Sequence, residues 1–111
     1  MDEDNHIIDT IDCWGNRVVL TREKLKEKAV VHPELNNKNF IRNLRQMIES
    51  PEQVWEDKDN RKRKRCYYKK YSMNSYVKAI VLMIGSPYHI ISAFETNYIK
   101  ESKYPNLKQL K

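Results

Sequence analysis

The sequence predicts an α+β domain in which two N-terminal helices pack on one face of a four-stranded antiparallel sheet. Two observations lead to this fold class. Apolar residues recur with helical spacing in two segments between residues 21 and 50, as in amphipathic helices. After Pro51 the pattern changes to four β-prone runs separated by short turns. Helices that precede such a group of strands cover one sheet face and leave the other partly open.

The first helix is predicted from Thr21 to His32, directly after a short strand at residues 16–20. Thr21 is a good N-cap residue, because its hydroxyl can accept a hydrogen bond from a free backbone N–H of the first turn. Leu25, Ala29 and His32 share one face. Pro33 ends the helix, since the residue before a proline is pushed out of the helical region. His32 is therefore expected in the last turn.

The second helix has the clearest pattern, and its apolar stripe predicts core packing. The stripe consists of Phe40, Ile41, Leu44, Met47 and Ile48. Asn36 or Asn37 can cap the start of this helix, and Ser50-Pro51 stops it. The four strands are then expected at residues 53–57, 65–71, 76–84 and 88–96, and the tail over residues 97–111 is polar, with one helical turn at most.

The charge of the chain is divided unevenly, which predicts a boundary near residue 15. Residues 1–12 hold five acids and no Lys or Arg, so the net charge of +6 leaves +11 on the remainder. We expect an acidic N-terminal arm over residues 1–15, either loose or forming a short edge strand, followed by a single domain over residues 16–111. A strongly basic domain favours a polyanionic partner.

Composition also predicts a cytoplasmic location without a membrane span. The longest apolar run, residues 79–84, is far shorter than the roughly 20 residues of a spanning helix. The N-terminus is acidic rather than basic and then apolar, so no secretory signal is expected. Cys13 and Cys66 lie far apart without metal-ligand spacing, which favours free thiols in a reducing compartment.

The densest positive charge lies at residues 61–70, where seven of ten residues are Lys or Arg. Such side chains neutralise phosphates, and the tyrosines among them can stack on unpaired bases. This favours a nucleic-acid-binding hairpin. The alternatives are a solvated hairpin whose lysines protect a sheet edge and a nuclear-import signal. The residues predicted to contact nucleic acid are Arg61, Lys62, Arg63, Lys64, Arg65, Lys69, Lys78 and Thr96.

If the protein cleaves a nucleic acid, the distribution of acids favours chemistry without a metal. No group of carboxylates has the spacing of a two-metal site, so no metal or other cofactor is expected. RNA supplies its own nucleophile, the 2′-hydroxyl. The reaction then needs a base for that hydroxyl, cations for the charge on phosphorus and an acid for the leaving oxygen.

Three short motifs follow one another along the sequence. They are His32-Pro33 at a helix end, Pro51-Glu52 before the first of the four predicted strands, and Ser92-Ala93-Phe94 on the last strand. They lie within VVLTREKLKEKAVVHPEL, IRNLRQMIESPEQVWED and YVKAIVLMIGSPYHIISAFET. Together with the tyrosine-rich strand, these segments resemble the barnase/EndoU/colicin/RelE-like (BECR) ribonuclease group, particularly its phage-associated members. The resemblance covers about residues 17–97.

The resemblance implies a metal-independent endoribonuclease whose groove lies on the sheet face and at the end of the first helix. It implies that His32 is the acid/base and that Ser92 holds a phosphate oxygen, although many members have threonine at that position. By strand alternation we expect Ser92 and Thr96 on the open face and Ala93 against the helices.

A second set of groove residues is implied on the tyrosine-rich strand. Tyr68 and Lys70 are the first choice, and their neighbours Tyr67 and Lys69 on the opposite face are the alternative. Lys78 lies on the adjacent strand.

The histidines have other interpretations. His32 can instead be a C-terminal cap that interacts with the helix dipole. His89 is expected to be an exposed residue near a turn, although it could also form a two-histidine acid/base pair with His32.

Together with the resemblance, these patterns predict a metal-independent endoribonuclease of toxin or phage effector type, which would cleave RNA by transesterification through the 2′-hydroxyl. Its catalytic residues would be His32, Ser92, Tyr68 and Lys70, and the resemblance implies a neutralising antitoxin or immunity protein as partner. The alternative is a non-enzymatic nucleic-acid-binding or inhibitor protein of phage origin that occupies a partner's nucleic-acid groove.

Overall fold

A computed structural model describes residues 6–111, which fold into a six-stranded mixed sheet and two α-helices. The order across the sheet is β1-β2-β6-β5-β4-β3, and all neighbouring strands are antiparallel except β2 and β6, which are parallel. In chain order the strands are β1 (His6–Ile11), β2 (Arg17–Thr21), β3 (Gln53–Glu56), β4 (Lys64–Ser72), β5 (Ser75–Leu82) and β6 (Tyr88–Thr96).

The predicted four-stranded antiparallel sheet is therefore wrong in strand number and in the direction of one pairing. The four strands predicted after Pro51 are present as β3 to β6. Two further strands, β1 and β2, precede the helices and extend the sheet. β2 joins β6 through only two parallel pairs, Val18 with Tyr88 and Val19 with His89. Strands so far apart in the sequence are not joined by a hairpin turn, so no turn residues predict that they pair.

The described part of the acidic segment belongs to the sheet edge. Asp9 lies on β1, and the Arg17 guanidinium 2.8 Å away holds the pKa of this carboxyl below its usual range. Asp12 is buried in the turn after β1 and accepts hydrogen bonds from the Tyr67 hydroxyl (2.7 Å) and the backbone N–H of Asn16 (2.8 Å). The remaining acids of the predicted arm, Asp2, Glu3 and Asp4, lie outside the described residues.

Helix α1 (Arg22–Ala29) starts as predicted and ends earlier. The Thr21 hydroxyl accepts a hydrogen bond from the backbone N–H of Lys24 at 3.1 Å. The N–H of His32 still donates to the carbonyl of Lys28 (2.8 Å), but Pro33 then begins a first 3₁₀ helix, Pro33–Asn36. Proline is favoured at such a start, because its φ angle suits a helix and no N–H is needed. His32 is thus the residue before this 3₁₀ helix.

Helix α2 (Lys38–Glu49) packs its predicted apolar stripe against the sheet. Four of the five stripe residues are buried, whereas Ile41 is only partly covered. The same core receives alternate side chains of the central strands, including Tyr67, Val77 and Ala79. The helices therefore cover one sheet face, and the side chains at the intervening strand positions point to the other face.

We expect replacement of the α2 cap, Asn37→Ala, to reduce the free energy of unfolding by about 1 kcal/mol. The Asn37 side chain accepts hydrogen bonds from the N–H groups of Asn39 (2.8 Å) and Phe40 (3.2 Å). The measurement is urea denaturation followed by circular dichroism. Asn36→Ala is the matched control, because Asn36 is the exposed preceding residue. Equal losses in the two variants would show that Asn37 is not the cap.

Candidate active site

Three side chains from the central strands form a row on the sheet face opposite the helices. Tyr68 on β4 pairs directly with Lys78 on β5, which pairs with Phe94 on β6. Residues at paired positions of neighbouring strands point to the same face. The neighbouring pair Ala79 and Ala93 lies in the core, which fixes the row on the other face.

The middle of this row is a buried ionic cluster. Lys78 Nζ lies 3.0 Å from Oε2 of Glu101, and the Tyr68 hydroxyl donates a hydrogen bond to Oε1 of the same carboxylate. Burial, with the Glu101 contact as the next cause, raises the pKa of Tyr68 far above its ordinary value. Tyr68 therefore stays protonated near neutral pH and acts as a hydrogen-bond donor, not as a base.

His32 stacks on the last member of the row. The centres of the His32 and Phe94 rings are 4.7 Å apart, with 20° between the ring planes. The histidine segment is held against β6 by the Glu34 carboxylate, which accepts a hydrogen bond from the N–H of Glu95 (2.9 Å). Within the segment, the His32 carbonyl accepts from the N–H of Leu35 (3.0 Å). The ring is half-buried, so one part of it remains accessible.

A pocket of about 300 Å³, here called the sheet pocket, opens beside the row. Lys78 Nζ lies 5.2 Å from the centre of the Tyr68 ring and 5.6 Å from the centre of the Phe94 ring. Loop residues 57–59 and Lys100 line the pocket as well. His32 does not line the pocket, but its ring stacks on Phe94, which does. The lining thus holds three lysines and three carboxylates, those of Asp57, Asp59 and Glu101, and the His32 imidazole lies next to it.

The two predicted hydroxyl residues of β6 occupy different places. Thr96 lines the sheet pocket. Ser92 pairs with Ile80, which puts it on the pocket face, but it does not line the pocket. An irregularity in the β5–β6 pairing next to Ile80 shifts the alternation, so Ile90 points into the core although Ser92 does not.

Strand register also separates the two alternatives on β4. Tyr68 and Lys70 point to the pocket face, where Lys70 is exposed and its Nζ lies 5.3 Å from the centre of the Tyr76 ring. Tyr67 is buried on the helix face beside Asp12, and Lys69 alternates to that same side. Only the first alternative therefore faces the sheet pocket.

The basic run does not form one surface with the pocket. Arg61, Lys62 and Arg63 lie exposed in the turn before β4. Arg61 has a Glu56 oxygen 3.5 Å from its Nε and also donates to the carbonyl of Asn106. Arg65 points to the helix face, where its guanidinium lies 4.8 Å from the Trp14 ring centre. Lys64 alternates to the pocket face at the start of β4.

His89 is exposed on β6, where it pairs with Val19 and Leu82. Phe94 lies five positions further along β6, which corresponds to about 16 Å. His32 contacts Phe94, so the two imidazoles are placed at different ends of the face.

Two residues of the site were missed in the sequence. Phe94 belongs to a motif but receives no predicted role, and Glu101 lies in the tail. A signal for Glu101 exists: Lys78 sits in an otherwise apolar strand, and no acid occurs between residues 60 and 94. A buried lysine needs a partner, and Glu101 is one of only two acids that follow.

Among residues 6–111, no group of three or more His, Cys, Asp or Glu side chains is arranged to hold a metal ion. Within the same range no helix has the length and apolarity to cross a membrane. Both cysteines are unpaired, as expected; Cys13 is exposed and Cys66 is buried.

Comparison with known families identifies the class of protein. A family model matches residues 2–110 and places the chain among nucleases of the barnase–EndoU–colicin–RelE type. The chain belongs to the particular family described as phage-Barnase-EndoU-ColicinE5/D-RelE like nuclease 2. This confirms the resemblance to phage-associated BECR members. Comparisons with curated proteins and with solved structures found no match.

Proposed function

We propose that the protein is an endoribonuclease that cleaves RNA through its 2′-hydroxyl and needs no metal ion. One observation carries the proposal: the His32 imidazole and the Lys78 ammonium lie beside the same Phe94 ring, at 4.7 and 5.6 Å from its centre. An imidazole beside the sheet pocket and a cation in its lining are thus held against one aromatic ring of a nuclease-family domain.

The chemistry assigns a role to each group. In the cleavage step the 2′-oxygen loses its proton and bonds to phosphorus, and the bond from phosphorus to the 5′-oxygen breaks as that oxygen takes up a proton. His32 exchanges protons as the acid/base, because an imidazole nitrogen can accept or donate a proton. Lys78 and the Tyr68 hydroxyl stabilise the charge on the phosphate oxygens. The products are a 2′,3′-cyclic phosphate and a 5′-hydroxyl.

The other predicted residues support binding. Thr96 contacts the substrate at the pocket, and Ser92 and Lys70 contact it along the same face. The basic turn contributes sequence-independent affinity through phosphates. We also propose that the protein acts on cytoplasmic RNA as a toxin or phage effector, with an antitoxin or immunity protein as its neutralising partner.

Incubation with RNA in excess EDTA tests this function. We expect cleavage of RNA with 2′,3′-cyclic phosphate ends, and no cleavage of the matched oligonucleotide in which every 2′-hydroxyl is replaced by hydrogen. Product ends are identified by mass spectrometry. Cleavage of the deoxy oligonucleotide, or activity that EDTA abolishes, would contradict the proposed chemistry.

The same experiment addresses the non-enzymatic alternative, in which the domain binds a nucleic acid or occupies a partner's nucleic-acid groove. Salt-dependent retention of RNA without any cutting would favour that alternative.

A further inference from the structure

The Glu101 carboxylate is held by the two donors that the proposed mechanism assigns to the substrate phosphate. Lys78 Nζ lies 3.0 Å from one carboxylate oxygen, and the Tyr68 hydroxyl donates to the other. A phosphodiester likewise presents two oxygens that share a negative charge on one central atom. The same pair of donors can therefore bind either group through charge-assisted hydrogen bonds.

These donors are closed off from solvent while Glu101 is in place. Tyr68 is 0% exposed, Lys78 5% and Glu101 2%. A nucleic acid cannot reach Lys78 Nζ or the Tyr68 hydroxyl without displacing the carboxylate. If these groups bind phosphate, the arrangement with Glu101 inside is a closed form.

The donors and the carboxylate are supported very differently. Tyr68 and Lys78 are directly paired residues of two central strands. Glu101 belongs to a second 3₁₀ helix of four residues, Lys100–Lys103, which is closed by local bonds such as the Tyr104 N–H to the Glu101 carbonyl (3.1 Å). Short 3₁₀ segments form weaker hydrogen bonds than α-helices, so this segment opens at lower cost than the core strands. The tail after it stays bonded to β3, for example from the Leu110 N–H to the Val54 carbonyl (2.6 Å), and only the segment itself needs to move.

We propose that Glu101 is an internal substitute for the substrate phosphate, so that RNA binds the sheet pocket by displacing the C-terminal segment 98–104. This rests on the proposed function. A buried Lys78 without a counterion would strongly destabilise the protein. Glu101 is that counterion in the free protein, and a phosphate takes its place in the complex with RNA. The net charge beside Lys78 is unchanged by the exchange.

Removing the internal carboxylate should tighten RNA binding. If the closed form holds about 90% of the molecules, Glu101→Gln lowers the apparent Kd for a non-cleavable 2′-O-methyl RNA oligonucleotide by about tenfold. The measurement is fluorescence anisotropy at one fixed low salt concentration. Glu95→Gln is the matched control, since it removes the same charge from an exposed position, and we expect a change of about twofold at most.

Binding by Glu101→Gln that equals that of Glu95→Gln, or is weaker than that of the unaltered protein, would overturn the proposal. Hydrogen exchange of the unaltered protein decides the question if Glu101→Gln fails to fold. Upon addition of the oligonucleotide, the amides of residues 98–104 should exchange faster while those of β4 to β6 exchange more slowly. Protection of the strands with no release of the segment refutes the displacement alone, whereas absence of protection at the strands refutes the proposed function as well.

Discussion

His32→Ala is expected to reduce the rate of RNA cleavage by about 10²–10⁴-fold, the range typical for loss of a general acid or base. The imidazole is the proposed acid/base beside the pocket, and burial raises the pKa of Tyr68 so far that its hydroxyl does not act as a base near neutral pH. The rate is measured in single-turnover reactions with excess protein and EDTA, from the appearance of the 2′,3′-cyclic phosphate.

The same substitution should leave the fold intact. Loss of the stack on Phe94 costs about 0.5–1.5 kcal/mol, which is small beside the expected loss of activity. His89→Ala is the matched control, because His89 is exposed and lies far along β6; its activity should be unchanged. A His32→Ala protein that cleaves RNA normally, or a His89→Ala protein that has lost its activity, would remove the assigned role.

Lys78→Met is expected to reduce the free energy of unfolding by about 3–5 kcal/mol, because it leaves the Glu101 carboxylate buried without its cation. Glu101→Gln should reduce the free energy of unfolding by a similar amount, because it leaves the Lys78 ammonium buried without its carboxylate. The double variant Lys78→Met/Glu101→Gln removes both charges and keeps an acceptor for the Tyr68 hydroxyl. We therefore expect it to cost no more than either single variant.

Denaturant unfolding of all four proteins completes this double-mutant cycle. Additive losses would show that Lys78 and Glu101 do not interact in the folded protein. The double variant also separates stability from activity: with the fold largely restored, it should still lack cleavage activity, since the phosphate has lost its cation. Lys70→Met is the variant with which Lys78→Met is compared, because it removes a lysine that is exposed on the same face of the sheet.

The fold could be predicted where the sequence pattern is local. Strands β3 to β6 follow from short β-prone runs separated by turns, and α2 follows from its apolar stripe. The parallel contact of β2 with β6 could not be predicted in this way, because it consists of two residue pairs between segments about 70 residues apart. The end of α1 was misjudged because Pro33 starts a new 3₁₀ helix instead of only ending the old one.

The candidate site could be predicted only where it depends on local sequence patterns. Alternation along β4 shows that neighbouring basic residues cannot all face one groove, but it does not show which face is open, since both carry tyrosines and cations. The contact of His32 with Phe94 depends on how the segment after α1 packs against β6. Glu101 was missed because its partner lies 23 residues earlier in the chain.

We propose that a substrate phosphate binds between His32 and the Lys78–Tyr68 pair. The most direct measurement is an NMR titration of the protein with the non-cleavable 2′-O-methyl RNA oligonucleotide, observing the imidazole signals and the backbone amides. We expect the signals of His32, Lys78 and Phe94 to shift together with one affinity, while the imidazole of His89 stays unchanged. Shifts confined to the basic turn at residues 61–63, with His32 and Lys78 unaffected, would contradict the claim.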